Sequence, residues 1–308
     1  MNHTRALLLF FMGYWTFGQN IPIPNIYIAE NRYLLSSAWA GIGDCFQARL
    51  VGSTDWTQIK DAPSTFTFAL NGRLSDHSGI GGIFTKDQNG YTSRQYLTFS
   101  YAHHLILDYY KDEFLSFGIS GRYSTFGVDT SDFEPDPVVG GNAKYGSLNF
   151  DLGVLYRRKG LFVTVNVMSI LKDYQNDFND IEPLNRQELN FDVGYNLEAG
   201  NNYWTFQPSV NYHLFLVDKR AETDFNLKAT KDAILWKYWA GISFRARTDS
   251  SFEPLSITPM AGIQYERFYF SYGYQSIFTN GGYFTQNSHI FSVGFDFLCF
   301  VSDCKCTY

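Results

Sequence analysis

The most constraining feature of this chain is an alternation of apolar and polar residues that recurs from residue 44 to residue 298, in short segments separated by Gly-, Asn- and Asp-rich breaks. In one segment, Leu189, Phe191 and Val193 interleave with Asn190 and Asp192. Successive Cβ atoms of a strand point to opposite faces, so each segment has one apolar face and one polar face. The polar faces carry Asn, Asp, Gln, Arg and His, which suits a wet surface rather than a second core. The pattern predicts an all-β fold, a transmembrane antiparallel β-barrel with lipid outside and a polar lumen inside.

About fourteen segments carry this alternation, and an even number is typical of single-chain bacterial barrels. Tight breaks near residues 159, 200 and 266 are typical of periplasmic turns, whereas the longer breaks 125–144, 170–186 and 277–287 are expected to face outward. Pro208 and Pro259 lie inside predicted strands, where each removes one ladder donor. Either a bulge absorbs each proline or the predicted register is locally wrong.

Composition supports a barrel over the alternatives. Beyond the N-terminus, no run approaches the roughly 18 apolar residues of a spanning helix, and the mean hydropathy is −0.21. Aromatic residues form 19% of the chain, and Tyr and Trp favour membrane–water interfaces. A soluble all-β fold is the competing interpretation, although 308 residues would be unusual for a single such domain. The predicted location is the outer membrane of a Gram-negative cell.

The net charge of −6 argues against a nucleic-acid partner. The basic run Arg157-Arg158-Lys159 is short and lies at a predicted turn, where it would face solvent or lipid headgroups. The partner expected for the apolar outer face of the predicted barrel is outer-membrane lipid.

The N-terminus is typical of an export signal, predicted over residues 1–18. Arg5 precedes a ten-residue apolar stretch, and Thr16 and Gly18 place small residues before a cleavage site at Gln19. A membrane anchor is the alternative, but the stretch is too short to span a bilayer. Residues 19–43 are predicted to plug the lumen or to lie along the periplasmic rim, with a disordered lead-in as the alternative. Residues 44–308 are predicted to form the barrel.

The four cysteines are Cys45, Cys299, Cys304 and Cys306. The spacing Cys304-x-Cys306 differs from common zinc sites, and no His follows His289. A disulfide between Cys45 and Cys299 is possible because a closed barrel brings its first and last strands together. Whether the C-terminal cysteines are paired is left open.

No catalytic, cofactor-binding or metal-binding residue is predicted. The string Gly79-Ile80-Gly81-Gly82 lacks the helix and the Lys of a phosphate loop, and it suggests close backbone approach at a tight wall or a bulge. His103 and His104 are expected on opposite faces of one strand, His104 in the lumen, so they cannot share a metal.

A barrel enzyme would need several polar groups that converge on one point of the wall. Ser209, Asn211 and His213 share one face of one strand, but neighbouring members lie roughly 6.6 Å apart along it. The remaining polar residues of the lumen are more simply explained as interstrand ion pairs: Arg122, Asp151, Asp192, Lys237 and Arg245. The chain is therefore predicted not to be an enzyme.

Several strings, taken in order, resemble the PorP/SprF family of type IX secretion system outer-membrane proteins of Bacteroidetes. The string 36–41, Ser-Ser-Ala-Trp-Ala-Gly, resembles the family's opening Asn-Pro-Ala-Tyr-Ala-Gly but lacks the Asn-Pro. Trp56 with the string 61–65, the glycine-rich strand 79–84 with its turn 87–90, and the hairpin around 101–119 are also similar. The similarity is clearest over residues 36–124.

This resemblance implies a non-enzymatic outer-membrane barrel that works with periplasmic components of the type IX secretion and gliding system. Such a barrel would assist the export or surface anchoring of a secreted adhesin-like protein. The alternative, which rests on the polar inner faces alone, is a passive channel or small-solute transporter. An open lumen would favour the channel, and a plugged lumen would favour the role in secretion.

Overall fold

The fold is a closed antiparallel β-barrel, seen in a computed structural model that describes residues 32–55, 62–129, 143–171, 187–200, 204–278 and 287–299. The predicted signal peptide, residues 1–18, lies outside the described residues. In the described part of the chain, no helix is both long enough and apolar enough to cross a membrane. The strands are β1 Phe46–Asp55, β2 Ser64–Ser75, β3 Ser78–Asn89, β4 Thr92–Asp108, β5 Glu113–Val128, β6 Ala143–Arg158, β7 Leu161–Met168, β8 Glu188–Tyr195, β9 Leu197–Ala199, β10 Trp204–Phe215, β11 Ala221–Asp232, β12 Trp236–Arg247, β13 Glu253–Tyr265, β14 Phe268–Ile277 and β15 Asn287–Phe297.

Each strand pairs with its neighbours in the chain, and β1 pairs with β15 from Phe46↔Phe297 to Asp55↔Ser288. This last pairing closes the wall, so no edge strand is left in contact with lipid. β8 and β9 both pair with β10 and are separated only by Asn196. They count as one wall strand, which gives the fourteen predicted from the sequence.

The two ends of the barrel differ in their connections. At one end, two-residue turns join β2 to β3, β6 to β7 and β13 to β14, and the wall strands β1 and β15 bring Cys45 and Cys299 together. At the opposite end, the connections 129–142, 169–187 and 278–286 are long. Outer-membrane barrels place short turns in the periplasm, so we call the first end the periplasmic end.

The two faces of the wall have the composition expected for a membrane barrel. Large apolar side chains point outward and are exposed, as Phe99, Leu148 and Phe270 show. The inward side chains are mostly polar, and among the described residues buried polar side chains outnumber buried apolar ones. A water-soluble protein has the reverse arrangement, because its apolar side chains leave water by turning inward.

Both prolines stay in register, and each lies where the ladder to one neighbouring strand is interrupted. Pro208 pairs with Leu227 of β11, but the ladder on its other side skips from Gly194 to Leu197. Pro259 pairs with β12, while the ladder from β13 to β14 skips the two positions that include it. The missing N–H of each proline thus coincides with a gap in pairing rather than with a bulge.

Candidate functional site

The lumen contains residues 32–44, which we call the lumen segment. It contains two short 3₁₀ helices, Arg32–Leu34 and Ser37–Trp39. Its residues contact wall strands on several sides, so the segment crosses the barrel rather than following one strand. Residues 19–31, the rest of the N-terminal segment predicted at 19–43, lie outside the described residues.

Arg32 holds the far end of the lumen segment. Its guanidinium forms an ion pair with Asp192 of β8 and approaches Ser209 of β10 at 3.4 Å. The same group lies over the ring of Phe162, 4.0 Å from its centroid, in a cation–π arrangement. Arg32 and Asp192 are 7% and 0% exposed, so their mutual neutralisation is what makes burial of both charges tolerable.

The middle of the segment hydrogen-bonds to β4 and to β7, and β7 is the strand next to β8. The Tyr33 hydroxyl donates to Ser100 of β4 at 3.0 Å. Asn166 of β7 donates from its side-chain amide to the carbonyl of Leu35 at 3.2 Å, and the indole N–H of Trp39 donates to Thr164 at 2.9 Å. Thr164 lies opposite Asp192 in the β7–β8 ladder, so Trp39 and Arg32 bind one part of the wall and Tyr33 binds a second part on β4.

The base of the segment is held near the periplasmic end. Nε2 of His104 lies 3.0 Å from the carbonyl oxygen of Ala40, and its Nδ1 lies 2.8 Å from Ser116. Arg73 of β2 forms an ion pair with Asp44 at 3.2 Å. The next residue, Cys45, forms a disulfide with Cys299, which confirms the pairing considered from the sequence. His104 faces the lumen and His103 faces outward, as predicted.

Inward-facing glycines leave room for the segment. A Cβ at Gly118 would lie 2.5 Å from the backbone carbon of Ser37, and one at Gly79 would lie 2.5 Å from that of Ala40. A Cβ at Gly81 would lie 2.5 Å from the ring of Tyr33. Real Cβ atoms essentially never approach this closely. The glycine-rich string 79–82 therefore does mark close approach, and the partner is the lumen segment.

Apolar packing adds to these polar contacts. Leu35 is 2% exposed and forms a cluster with four inward-facing wall residues: Val51, Trp239, Met260 and Ile290. These wall residues come from β1, β12, β13 and β15. They form an apolar patch on the lumen face of the wall, and Leu35 covers it.

The predicted ion pairs of the lumen are present. Arg122 pairs with Asp151 across β5 and β6, and Arg245 pairs with Asp224 across β11 and β12. Lys237 pairs with Asp232 across the same two strands at 3.0 Å. The prediction for Asp192 was wrong in one respect, because its partner Arg32 belongs to the lumen segment and not to another strand.

The three residues considered for a barrel enzyme have separate partners. Ser209 contacts Arg32, Asn211 exchanges side-chain hydrogen bonds with Asn190 at 2.9 and 3.0 Å, and His213 contacts Glu188 at 2.8 Å. They do not converge on a common point. Among the described residues, no three His, Cys, Asp or Glu side chains lie close enough together to hold a metal ion.

The wall residues that hold the lumen segment were not predicted from the sequence. Asn166, Thr164 and Asn71 look like ordinary inward polar residues, and nothing in the alternation singles them out. The available signal was the row of inward glycines. Glycine weakens a strand and often marks a position where another backbone approaches closely. Several glycines on the lumen face therefore indicate a chain segment packed inside the barrel.

Comparison with known proteins gives a family and a fold. The family model of the type IX secretion system membrane protein PorP/SprF matches residues 16–295. No curated protein matches the chain in sequence. The CymD monoaromatic hydrocarbon channel is similar in structure, with a TM-score of 0.52, 10% identity and coverage of 90% of this chain and 93% of that one. The toluene transporter TbuX of Ralstonia pickettii has a TM-score of 0.51, 10% identity and coverage of 84% and 91%.

At 10% identity, the similarity to these two proteins shows the fold alone. The family model, in contrast, spans nearly the whole barrel and includes the lumen segment. The similarity noted over residues 36–124 thus extends well beyond them. The chain is an outer-membrane β-barrel that belongs to the type IX secretion system membrane protein family PorP/SprF.

Proposed function

We propose that this barrel assists the export or surface anchoring of a secreted adhesin-like protein and does so without catalysing a reaction. Its partners would be that client protein and periplasmic components of the type IX secretion and gliding system. Membership of the family supports a role in secretion. The observation that carries the proposal is the occupied lumen.

The lumen segment argues for a scaffold rather than a free conduit. A passive pore needs an uninterrupted wet path, whereas here Arg32 binds β8, Tyr33 binds β4, and Leu35 packs against β1, β12, β13 and β15. A segment held by ion pairs, hydrogen bonds and apolar packing stands in such a path. A rigid plugged barrel can instead present its outer loops to a client.

The experiment is deletion of the gene followed by assay of the adhesins at the cell surface. We expect one large adhesin to be lost from the surface, and the wild-type gene on a plasmid to restore it. A matched control is complementation with Gly121→Ala, a change on the outward face of β5 where a Cβ meets only Phe150 at 3.7 Å. Unchanged export and retention of every adhesin in the deletion strain would contradict the proposal.

A passive channel or small-solute transporter is the second candidate, and the polar inward face of the wall favours it. Planar-bilayer recording separates the two functions. A steady open-pore current through the purified barrel supports the channel. A silent barrel supports the role in secretion, because the lumen segment then stays in place.

A further inference from the structure

The wall has an irregular point between β8 and β10. Pairing skips from Gly194↔Ser209 to Leu197↔Phe206, so Tyr195 and Asn196 lie opposite Gln207 and Pro208 without ladder pairing. Gly194 has no side chain, and a Cβ there would lie 2.6 Å from the side chain of Ser209. Both residues face the lumen, so the wall is closely packed on that side, and on the lipid side the stretch without ladder pairing exposes Tyr195 and Pro208.

An apolar groove of about 430 Å³ lies on the outside of this irregular point. We call it the β10 groove, and its outward-facing lining includes Val193, Tyr195, Pro208, Val210, Leu227 and Ile242. In a membrane this groove faces hydrocarbon, where an unfilled hollow loses dispersion contacts. A flexible apolar chain is the occupant that its shape and chemistry suit.

A path of small residues joins the β10 groove to the periplasmic interface. On β11, Ala229 lies two residues from Leu227 toward the periplasmic end, and its partner on β12 is Ala240. Both side chains point outward, since they alternate with inward neighbours on their strands. Toward the periplasmic end, Leu227 and Ile242 are therefore followed by two small side chains, and Phe206 of β10 borders these on one side.

A positive charge lies at the end of this path. In the strand ladders, Lys231 lies opposite Trp204 of β10 and Tyr238 of β12. Its ammonium lies 5.5 Å from the centroid of the Trp204 ring. Lys231 is four residues from Leu227, about 13 Å along the strand. Trp and Tyr favour the headgroup level of a bilayer, which places the lysine at the depth of lipid phosphates.

We infer that the β10 groove and Lys231 form a binding site for one phospholipid of the periplasmic leaflet. The phosphate would pair with Lys231 between Trp204 and Tyr238. One acyl chain would run over Ala229 and Ala240 and fill the groove against Pro208. This inference does not depend on the identity of the secreted client.

The test is native mass spectrometry of the folded barrel, purified in detergent that strips bulk lipid and then incubated with phosphatidylglycerol. We expect the wild-type barrel to retain one lipid molecule. Lys231→Gln should weaken retention about fivefold, since one lysine near a membrane surface contributes about 1 kcal/mol. Ala240→Trp should abolish retention by blocking the path while Lys231 stays in place.

Two controls match these variants. Lys237→Gln removes a lysine at the same end of the barrel whose partner is Asp232, and Val154→Phe enlarges an outward residue on β6, away from the groove. Both should retain lipid like the wild type. Equal retention by all five proteins would overturn the inference, because the lipid would then be bulk lipid only. Dimers that form when lipid is removed and disappear with Ala240→Trp would also overturn it, in favour of a second copy as the occupant.

Discussion

Arg32 and Asp192 form a buried ion pair that ties the lumen segment to the barrel wall, although 160 residues separate them in the sequence. Asp192 is fully buried and Arg32 nearly so. Removing one member of such a pair leaves an uncompensated charge, which typically costs about 3–5 kcal/mol. The wall strands are fixed by backbone ladders, so we expect the lumen segment to move rather than the wall.

We therefore expect Arg32→Gln to release the lumen segment and turn a silent barrel into a conducting one. Planar-bilayer recording of the purified variant measures this directly. Arg122→Gln is the control, because it breaks a comparable ion pair with Asp151 between two wall strands. That variant should lower the unfolding temperature but leave the conductance low. Conductance that rises equally in both variants would show that Arg32 has no special part in holding the segment.

Gly118→Ala should displace the lumen segment, although the substitution removes none of the groups that hold the segment. The new Cβ would lie 2.5 Å from the backbone carbon of Ser37, and backbone cannot move aside as a flexible side chain can. We expect faster hydrogen exchange of the amides of Trp39 and Ala40, which donate to the carbonyls of Ser36 and Ser37. Gly121→Ala on the same strand is the matched control and should leave exchange unchanged. Equal exchange in both variants would mean that the wall gives way instead.

Much of the fold could be predicted because period-two alternation encodes both the strands and their faces. The structure has the fourteen wall strands that the alternation predicts, and Phe150 and Val154 face outward while Asn149 and Asp151 face the lumen. A shift of one residue would reverse every such assignment, so a membrane strongly constrains the register. The interstrand pairs Arg122–Asp151 and Arg245–Asp224 follow from the same face assignments.

The wall residues that hold the lumen segment could not be predicted in the same way. Residues 32–44 have no alternation, and their structure depends on partners far away in the sequence, such as Asn166 and Asp192. Contacts between residues so far apart in the sequence leave no pattern in either stretch of sequence alone. The ladder gap beside Pro208 was also hidden, because a proline shows that one donor is missing but not on which side of the strand the pairing fails.

Arg245→Lys should destabilise the barrel although it keeps the charge. Nε and one terminal nitrogen of Arg245 donate to the two carboxylate oxygens of Asp224, at 2.6 and 2.8 Å. Lysine is a point donor and cannot reproduce this fork. The loss of one charged hydrogen bond corresponds to about 1.5–3 kcal/mol, measured as a lower midpoint of denaturant unfolding. The control Lys237→Arg changes a pair that is nearly half exposed and should shift the midpoint little. Equal midpoints for Arg245→Lys and the wild type would show that the second hydrogen bond does not matter.

The disulfide between Cys45 and Cys299 should stabilise the seam where the barrel closes. It joins residues 254 apart in sequence, next to the first pair of the β1–β15 ladder. In the unfolded chain such a link removes much conformational freedom, and loss of a native disulfide typically costs about 2–5 kcal/mol. We expect the double variant Cys45→Ser, Cys299→Ser to unfold at a lower temperature than the oxidised wild type in scanning calorimetry. Reductant should lower the wild-type transition to that of the variant and leave the variant itself unchanged. If reductant moves neither transition, the ten paired positions of the β1–β15 ladder hold the seam without help from the disulfide.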